Sequence, residues 1–370
     1  MNFDFSDDQK FLKNEARKFL EANCPTSRVR KVLDDDSKAY DAELWAAVAG
    51  QGWLGAAIPE EHGGLGLGHI ELCAIAEELG RVVAPIPFAS TVYFLAEALM
   101  LAGSEAQKAA LLPKIAAGEV IGCVATSEGP GVVTAAGLKA SVSGGKLSGT
   151  KLPVTDGDIA THALVLAKEN GQPGLFLVDL SGGVTREPLQ TLDPTRDAAK
   201  LTLAGAAAER LGAAGEGFAL LEQVTDRAAV LLAFEQCGGA DRSLEMAKAY
   251  ALERYAFGRV IASYQAIKHK LADMYVKNEV ARSNAYYGAW ALNDDAPELP
   301  IAASAARIAA SEAFWFASKE SIQVHGGMGF TWDVDCHLYY RRSRQLSLVA
   351  GAPRVWKERL VSHLERRNAA

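Results

Sequence analysis

The chain is predicted to be an α+β protein in which a helical segment, a strand-rich segment and a second helical segment follow one another. Three observations predict this. Apolar residues recur at helical spacing through residues 1–120, short alternating apolar runs separated by turn residues fill 121–212, and helical spacing returns over 213–370. Strands and helices do not alternate, which disfavours a doubly wound dinucleotide-binding sheet.

In the first segment, DDQKFLKNEARKFLEAN places Phe11, Leu12, Ala16, Phe19 and Leu20 on one helical stripe. HIELCAIAEELGRVV and SEAQKAALLPKIAAGE repeat the pattern, the latter with Ser104 as N-cap and acid in the first turn. Between them IPEEHGGLGLG is a loop, because four glycines and a proline break a helix, and it lacks the strand-to-helix setting of a phosphate loop. In the second segment CVATS, ASVSGGKLSGT, THALVLA, GLFLVDL and KLTLAG read as strands and hairpins. The third holds three or four long helices, with LNDDAPELP (292–300) as its one soft connection.

Composition narrows the function classes. With 49% hydrophobic and 22% charged residues and no apolar run of spanning length, the chain reads as a non-membrane globular protein. A net charge of −7 disfavours a nucleic-acid partner, which needs a concentrated basic surface. The acidic opening MNFDFSDDQK has neither the basic nor the apolar region of a signal peptide, so a cytoplasmic location is expected. Five scattered cysteines without a C-x-x-C pair are expected to be buried reduced thiols, with no metal site.

Two stretches concentrate the chemistry. ALERYAFGRVIASYQAIKHKLADM (251–274) joins two helical halves through Phe257-Gly258, where glycine permits a break, and flanks that break with Arg254 and Arg259, donors suited to a diphosphate. About fifty residues later SIQVHGGMGFTWD ends a helix near Gln323 and follows it with Gly326, Gly327 and Gly329, which allow a backbone to approach a flat or phosphate-bearing ligand. The paired patterns R-x-x-F-G-x-x-I-x-x-x-Q and Q-x-x-G-G-x-G, with GWLGAAIPEEHGGLG and the α, β, α order, resemble the acyl-CoA dehydrogenase family over essentially the whole chain.

That resemblance implies an N-terminal helical domain, a central β barrel or sandwich and a C-terminal four-helix bundle, assembled as a dimer of dimers from like or unlike chains. It implies FAD between the β domain and the bundle, its ADP end reaching a neighbouring subunit, an acyl-CoA substrate and an electron-transfer flavoprotein as acceptor. Carried over by position, Arg254 and Phe257 hold the diphosphate, Tyr264 and Gln265 line the cofactor, and Gln323, Gly326 and Gly327 receive the adenosine half.

The flavin-facing half departs from the pattern. Where the family reads Thr-Glu-Pro-x-Ala-Gly-Ser-Asp, this chain keeps Thr126 but has Val132 in place of the serine; where it reads Trp-Ile-Thr, the chain has Pro153-Val154-Thr155, retaining only the hydroxyl. The reaction implied needs a base for the proton beside the thioester carbonyl. The family's Tyr-Glu-Gly-Thr falls on Val349-Ala350-Gly351-Ala352, so Ala350 stands where the base is expected and Ala352 where a flavin-contacting threonine is common.

A relocated base on the first long helix of the third segment is one alternative, with Glu235 and Asp226 as candidates although neither matches the known alternative position, Ala228. Glu235 lies in an apolar stretch, where burial either raises its pKa into a range suited to proton abstraction or demands an arginine partner. Asp226 reads equally as a helix-start surface charge, His325 as a polar contact at the glycine turn, and RRSRQ (341–345) as a solvated basic face.

Two functions follow: an acyl-CoA dehydrogenase with a relocated base, or a non-catalytic subunit that completes a partner's FAD site, as in family members acting on sterol-derived or ring-bearing substrates. A flavin oxidase or monooxygenase relative is a third. Small residues on the first long helix, among them Ala228, Ala233, Gly238 and Gly239, suit either a roomy acyl pocket or close helix packing.

Overall fold

The computed structural model describes residues 5–35 and 37–369. Helices α1 (Asp7–Asn23), α2 (Thr26–Leu33), α3 (Ala42–Gly50), α4 (His69–Arg81), α5 (Glu97–Ala102) and α6 (Glu105–Ala116) come first. Strands β1 (Gly122–Ala125), β2 (Ser141–Ser143), β3 (Lys146–Thr155), β4 (His162–Glu169), β5 (Gln172–Asp179), β6 (Val184–Pro188) and β7 (Ala198–Leu211) follow. Then come α7 (Gly217–Glu253), a short hairpin of β8 (Tyr255–Ala256) and β9 (Arg259–Val260), α8 (Gln265–Asn293), α9 (Leu299–His325), α10 (Cys336–Leu348) and α11 (Pro353–Ala369). The α, β, α order read from periodicity is thus observed, and the helix starts are specified locally: Ser6 and Ser104 each form a reciprocal capping box with a glutamine three residues on.

By its contacts the chain forms two compact units interleaved in sequence. One comprises Arg30–Gly68 and Pro85–Ala228; the other runs up to Val29 and adds His69–Ala84 and everything from Ala229 onward.

The first of these contains the sheet. Its strands run β1-β4-β2-β3-β7-β5, and because β5 also pairs with β4 the path closes into a barrel, leaving β1 on β4 and β6 on β7 as appendages. Leu147, Val154, Leu164, Leu166, Phe176, Val178 and Leu203 are all buried; because Val165 pairs with Phe176 and Ala163 with Val178, Leu164 and Leu166 lie on the face opposite Phe176 and Val178, so β4 and β5 are covered on both faces. β6 has a mostly exposed, polar pattern, VTREP, and so carries little of the alternation by which the other strands are recognised. An eight-residue π-helical stretch, Ala89–Ala96, is buried throughout and leads into α5.

The second unit packs α1 and α4 with the long helices α8 and α9, the later part of α7, and α10 and α11. Its core is built from small residues at helix crossings. A Cβ on Gly238 would lie 1.8 Å from the Glu77 carbonyl oxygen, one on Gly80 1.9 Å from that of Glu235, and one on Gly239 2.4 Å from the Phe314 ring. These glycines let α4 and α9 approach α7 closely, so of the two readings of that small-residue run, close packing accounts for Gly238 and Gly239. Charge is buried here too. Glu77 accepts from Lys13 and Arg282, Arg282 also reaches Asp241, and Arg17 makes a two-pronged pair with Glu78. Burial alone would raise the Glu77 pKa, but Lys13 and Arg282 outweigh it and hold the carboxyl below its usual range. All five cysteines are buried free thiols.

Candidate cofactor edge and the missing base

At the end of α7 the chain turns through the β8–β9 hairpin. Phe257 and Gly258 occupy the turn with φ of 52° and 80°, and Phe257 is 97% exposed. A fully exposed phenyl ring held in the left-handed region is costly for an isolated chain and points to a surface that meets another molecule. The hairpin is braced from α8: the Tyr264 hydroxyl donates to the Ala256 carbonyl at 2.9 Å, and the Arg259 guanidinium sits 4.0 Å above the Tyr264 ring. Arg254 and Gln265 are exposed beside it.

The glycine loop follows α9. Gln323, Gly326 and Gly327 are exposed, and a Cβ added at Gly326 or Gly327 would meet nothing within 4 Å. Gly329 differs: a Cβ there would lie 2.6 Å from the Ile322 carbonyl oxygen and 2.9 Å from His325 Cβ, so this glycine folds the loop back onto the helix end. His325 is buried beneath, its Nδ1 donating to the Ser321 carbonyl at 2.8 Å, and burial lowers its pKa. Its ring stacks on Tyr250, with centroids 4.3 Å apart. Guanidinium groups, an outward aromatic ring and open glycine backbone together fit a flat dinucleotide bearing a diphosphate.

Thr126 and Thr155 belong to the other unit, where both are partly buried and lie at or just beyond the ends of β1 and β3. Their surroundings are rigid. Lys151, wholly buried, donates to Glu128 at 2.8 Å, to the Leu166 carbonyl at 2.6 Å and to the Thr126 carbonyl at 3.3 Å. Glu128 also accepts from the amides of Lys139 and Ala140. Burial lowers the Lys151 pKa; at Glu128 burial pushes upward, but the bonds from Lys151, Ala140 and Lys139 prevail and the net shift is down. Beyond Thr155, Asp156 (φ 56°) is fixed by Arg196 at 2.8 Å and by the Ser90 hydroxyl. Val132, in place of the expected serine, is 80% exposed.

The turn that carries Ala350 contains no proton-transfer side chain. Ala350 has φ of 63° and Gly351 of 104°, and the turn is gripped from α9: Arg307 donates to the carbonyl oxygens of Leu346 and Val349, the latter at 2.7 Å, and to the Gln236 side chain. Glu235 is 5% exposed and lies 3.7 Å from Arg342, which also donates to the Val83 and Ala84 carbonyls. Burial pulls the pKa of Arg307 down to about 9 despite the Glu235 charge nearby. Arg307 therefore stays protonated at neutral pH, and Glu235 faces two buried arginines.

Two sequence expectations change. Arg342, read as part of a solvated basic face, is buried, because one residue of that run turns inward toward Glu235 while Arg341 stacks on Trp332. Asp226, read as a possible helix-start surface charge, is buried nine residues inside α7. Of the arginines missed by sequence reasoning, Arg307 carries one weak signal, a cation within the small and apolar run IAASAARIAAS, whereas Arg342, within RRSRQ, carries none.

The family described as acyl-CoA dehydrogenase, N-terminal domain matches residues 6–119, and that described as acyl-CoA dehydrogenase, C-terminal domain matches residues 215–364. The chain is 32% identical over 363 residues to the acyl-CoA dehydrogenase IpdE2 of Mycobacterium tuberculosis, covering 97% of this chain and 98% of that one. Among solved structures it is similar to the steroid ACAD Tcur3481-Tcur3483, with a TM-score of 0.88, 33% identity and coverage of 98% and 99%. It is also similar to the ChsE4-ChsE5 complex from Mycobacterium tuberculosis, with a TM-score of 0.89, 27% identity and coverage of 99% of each chain.

Proposed function

Because the chain belongs to the acyl-CoA dehydrogenase family, we propose that it is the base-lacking subunit of a hetero-oligomeric acyl-CoA dehydrogenase, completing the FAD site of a partner chain that carries the catalytic carboxylate. The observation that supports this most is a contrast within one unit. The edge suited to a dinucleotide, Arg254, Phe257, Gln323, Gly326 and Gly327, is intact and turned outward, whereas the base position is Ala350 on a turn pinned by Arg307.

In this reading Arg254 pairs with the diphosphate, Phe257 packs against it, Tyr264 and Gln265 line the approach, and Gln323 with the open backbone of Gly326 and Gly327 receives the adenosine half. FAD, which members of the family bind, supplies the hydride acceptor for α,β-dehydrogenation of the acyl-CoA. Thr126 and Thr155, in the barrel unit, retain the hydroxyls of the family's flavin-facing pattern. Glu235 acts as counter-ion to Arg342 rather than as base, since its carboxylate lies 3.7 Å from that buried guanidinium. The substrate class is a bulky, ring-bearing acyl-CoA, in line with the steroid ACAD among its structural relatives, and the acceptor is an electron-transfer flavoprotein.

The test compares the chain purified alone with the chain co-expressed with a homologue that has Glu at the place of Ala350. Acyl-CoA should bleach bound flavin only in the complex, and Glu235→Gln in this chain should leave that rate within about threefold. Flavin reduction by the chain alone, abolished by a folded Glu235→Gln variant, would instead establish Glu235 as a relocated base.

A further inference from the structure

Two segments of the cofactor edge are far apart in sequence, and their spacing must match the distance between a diphosphate and an adenosine. The hairpin bearing Arg254 and Phe257 leaves the end of α7; the loop bearing Gly326 and Gly327 leaves the end of α9. The structure joins the two by one ring contact. Tyr250, whose carbonyl accepts the Arg254 amide at 2.9 Å, stacks on His325, with centroids 4.3 Å apart and planes 28° from parallel.

His325 is suited to act as a pillar. Its Nδ1–H is committed to the Ser321 carbonyl at 2.8 Å and the Cys336 sulfur lies 3.4 Å from the same nitrogen, so the ring cannot rotate without losing a buried hydrogen bond. Burial disfavours the charged imidazolium and pushes the Cys336 thiol up to about 11, so both present neutral faces. The glycine loop rests on this ring's base, because the missing side chain of Gly329 leaves room only for His325 Cβ and the Ile322 carbonyl. Gly326 and Gly327 are thereby held outward with nothing but open space before them.

We infer that Tyr250 and His325 are positioning residues for the dinucleotide, their stack fixing the separation between the arginine that meets the diphosphate and the glycines that meet the adenosine. This rests on the cofactor edge assigned above. Neither ring needs to touch the ligand; each acts through the backbone segment it carries. Loss of an aromatic pair is worth about 0.5–1.5 kcal/mol, and since 1.4 kcal/mol is a factor of ten in binding, affinity should fall roughly 3–10-fold when the stack is lost.

The experiment titrates FAD and, separately, ADP into the flavin-free complex of the full-length chain with its base-bearing homologue, carrying in this chain wild type, Tyr250→Phe, Tyr250→Leu, His325→Leu or the Tyr250→Leu/His325→Leu double substitution, with melting temperature followed in parallel. Tyr250→Phe, which keeps the ring, should bind within about twofold of wild type. Both leucine variants should bind 3–10-fold more weakly, and the double variant no more weakly than the worse single one, as a shared function requires. Leucine variants that bind as wild type, or a double variant whose loss is the product of the two single losses, overturn the inference and leave the cofactor edge standing. A complex whose FAD and ADP affinities are unchanged by Arg254→Ala in this chain overturns the edge assignment and this inference with it.

Discussion

Arg307 on α9 donates to the carbonyl oxygen of Val349 at 2.7 Å, one residue before Ala350, and so holds the turn formed by Ala350 and Gly351. The turn thus has a rigid mounting. Arg307→Met should therefore cost far more than a surface substitution, because two carbonyl oxygens and Gln236 lose their donor and Glu235 loses one of its positive neighbours. We expect about 3–5 kcal/mol of destabilisation, read as a lower urea midpoint with an unchanged slope.

Glycines of the two kinds should behave in opposite ways. Gly238→Ala drives a methyl to within 1.8 Å of the Glu77 carbonyl and must push α4 from α7; a loss of at least about 3 kcal/mol or an insoluble product is expected. Gly327→Ala meets nothing and needs no unusual backbone, so its melting temperature should stay within roughly 2 °C of wild type. Its FAD affinity should nevertheless fall about tenfold or more if the backbone approaches the cofactor there. Unchanged binding would remove Gly327 from the site.

Asp197, in the barrel unit, has its pKa raised to about 6, chiefly by burial and further by Asp156 and Asp158. The folded state therefore binds a proton more readily than the unfolded chain, and this group's contribution to stability is lost as pH rises from about 4 through 6. Asp197→Asn keeps an oxygen for the Asp158 amide and removes the penalty. It should be more stable than wild type by about 1–2 kcal/mol above pH 6.5, after discounting for partial solvent access, and indistinguishable near pH 4. Thermal melts across that range check the sign.

Glu128→Ala strips the buried Lys151 of its carboxylate and the Lys139 and Ala140 amides of their acceptor. Destabilisation of about 3 kcal/mol is expected at pH 7, and much of it should be recovered by adding Lys151→Met, which takes the stranded charge away. A double variant no better than the single would mean that the amide contacts, not the ion pair, hold the segment after β1.

Local features were the legible ones. Ser104 and Gln107 announce α6 within four residues, and Phe257-Gly258 announces the hairpin because only a short list of residues accepts its backbone. Counting from Gln323 singles out the Ala350 turn, but the grip of Arg307 on it belongs to the fold. What escaped depends on residues far apart. Nothing in Arg341-Arg342-Arg344 says which one turns inward; the answer is Glu235, more than a hundred positions away, and Val83 and Ala84, still farther. Glu235 itself was legible as a buried acid in an apolar run, but its arginine partner could only be supplied by the fold. Likewise β6 is polar by sequence and becomes a strand through its pairing with β7.

The interleaving of the two units sets an order of events during synthesis. Helices α1 and α4 leave the ribosome well before Ala229 and the rest of their unit, so at about 5–20 residues per second α4 waits roughly 9–37 seconds for α8 to begin. Meanwhile Glu77 and Glu78 already have Lys13 and Arg17 on α1, and the early helices can dock through these pairs before Arg282 completes the set. The barrel unit, finished by Ala228, is able to fold first, and α10 and α11 are the last helices to join the other unit.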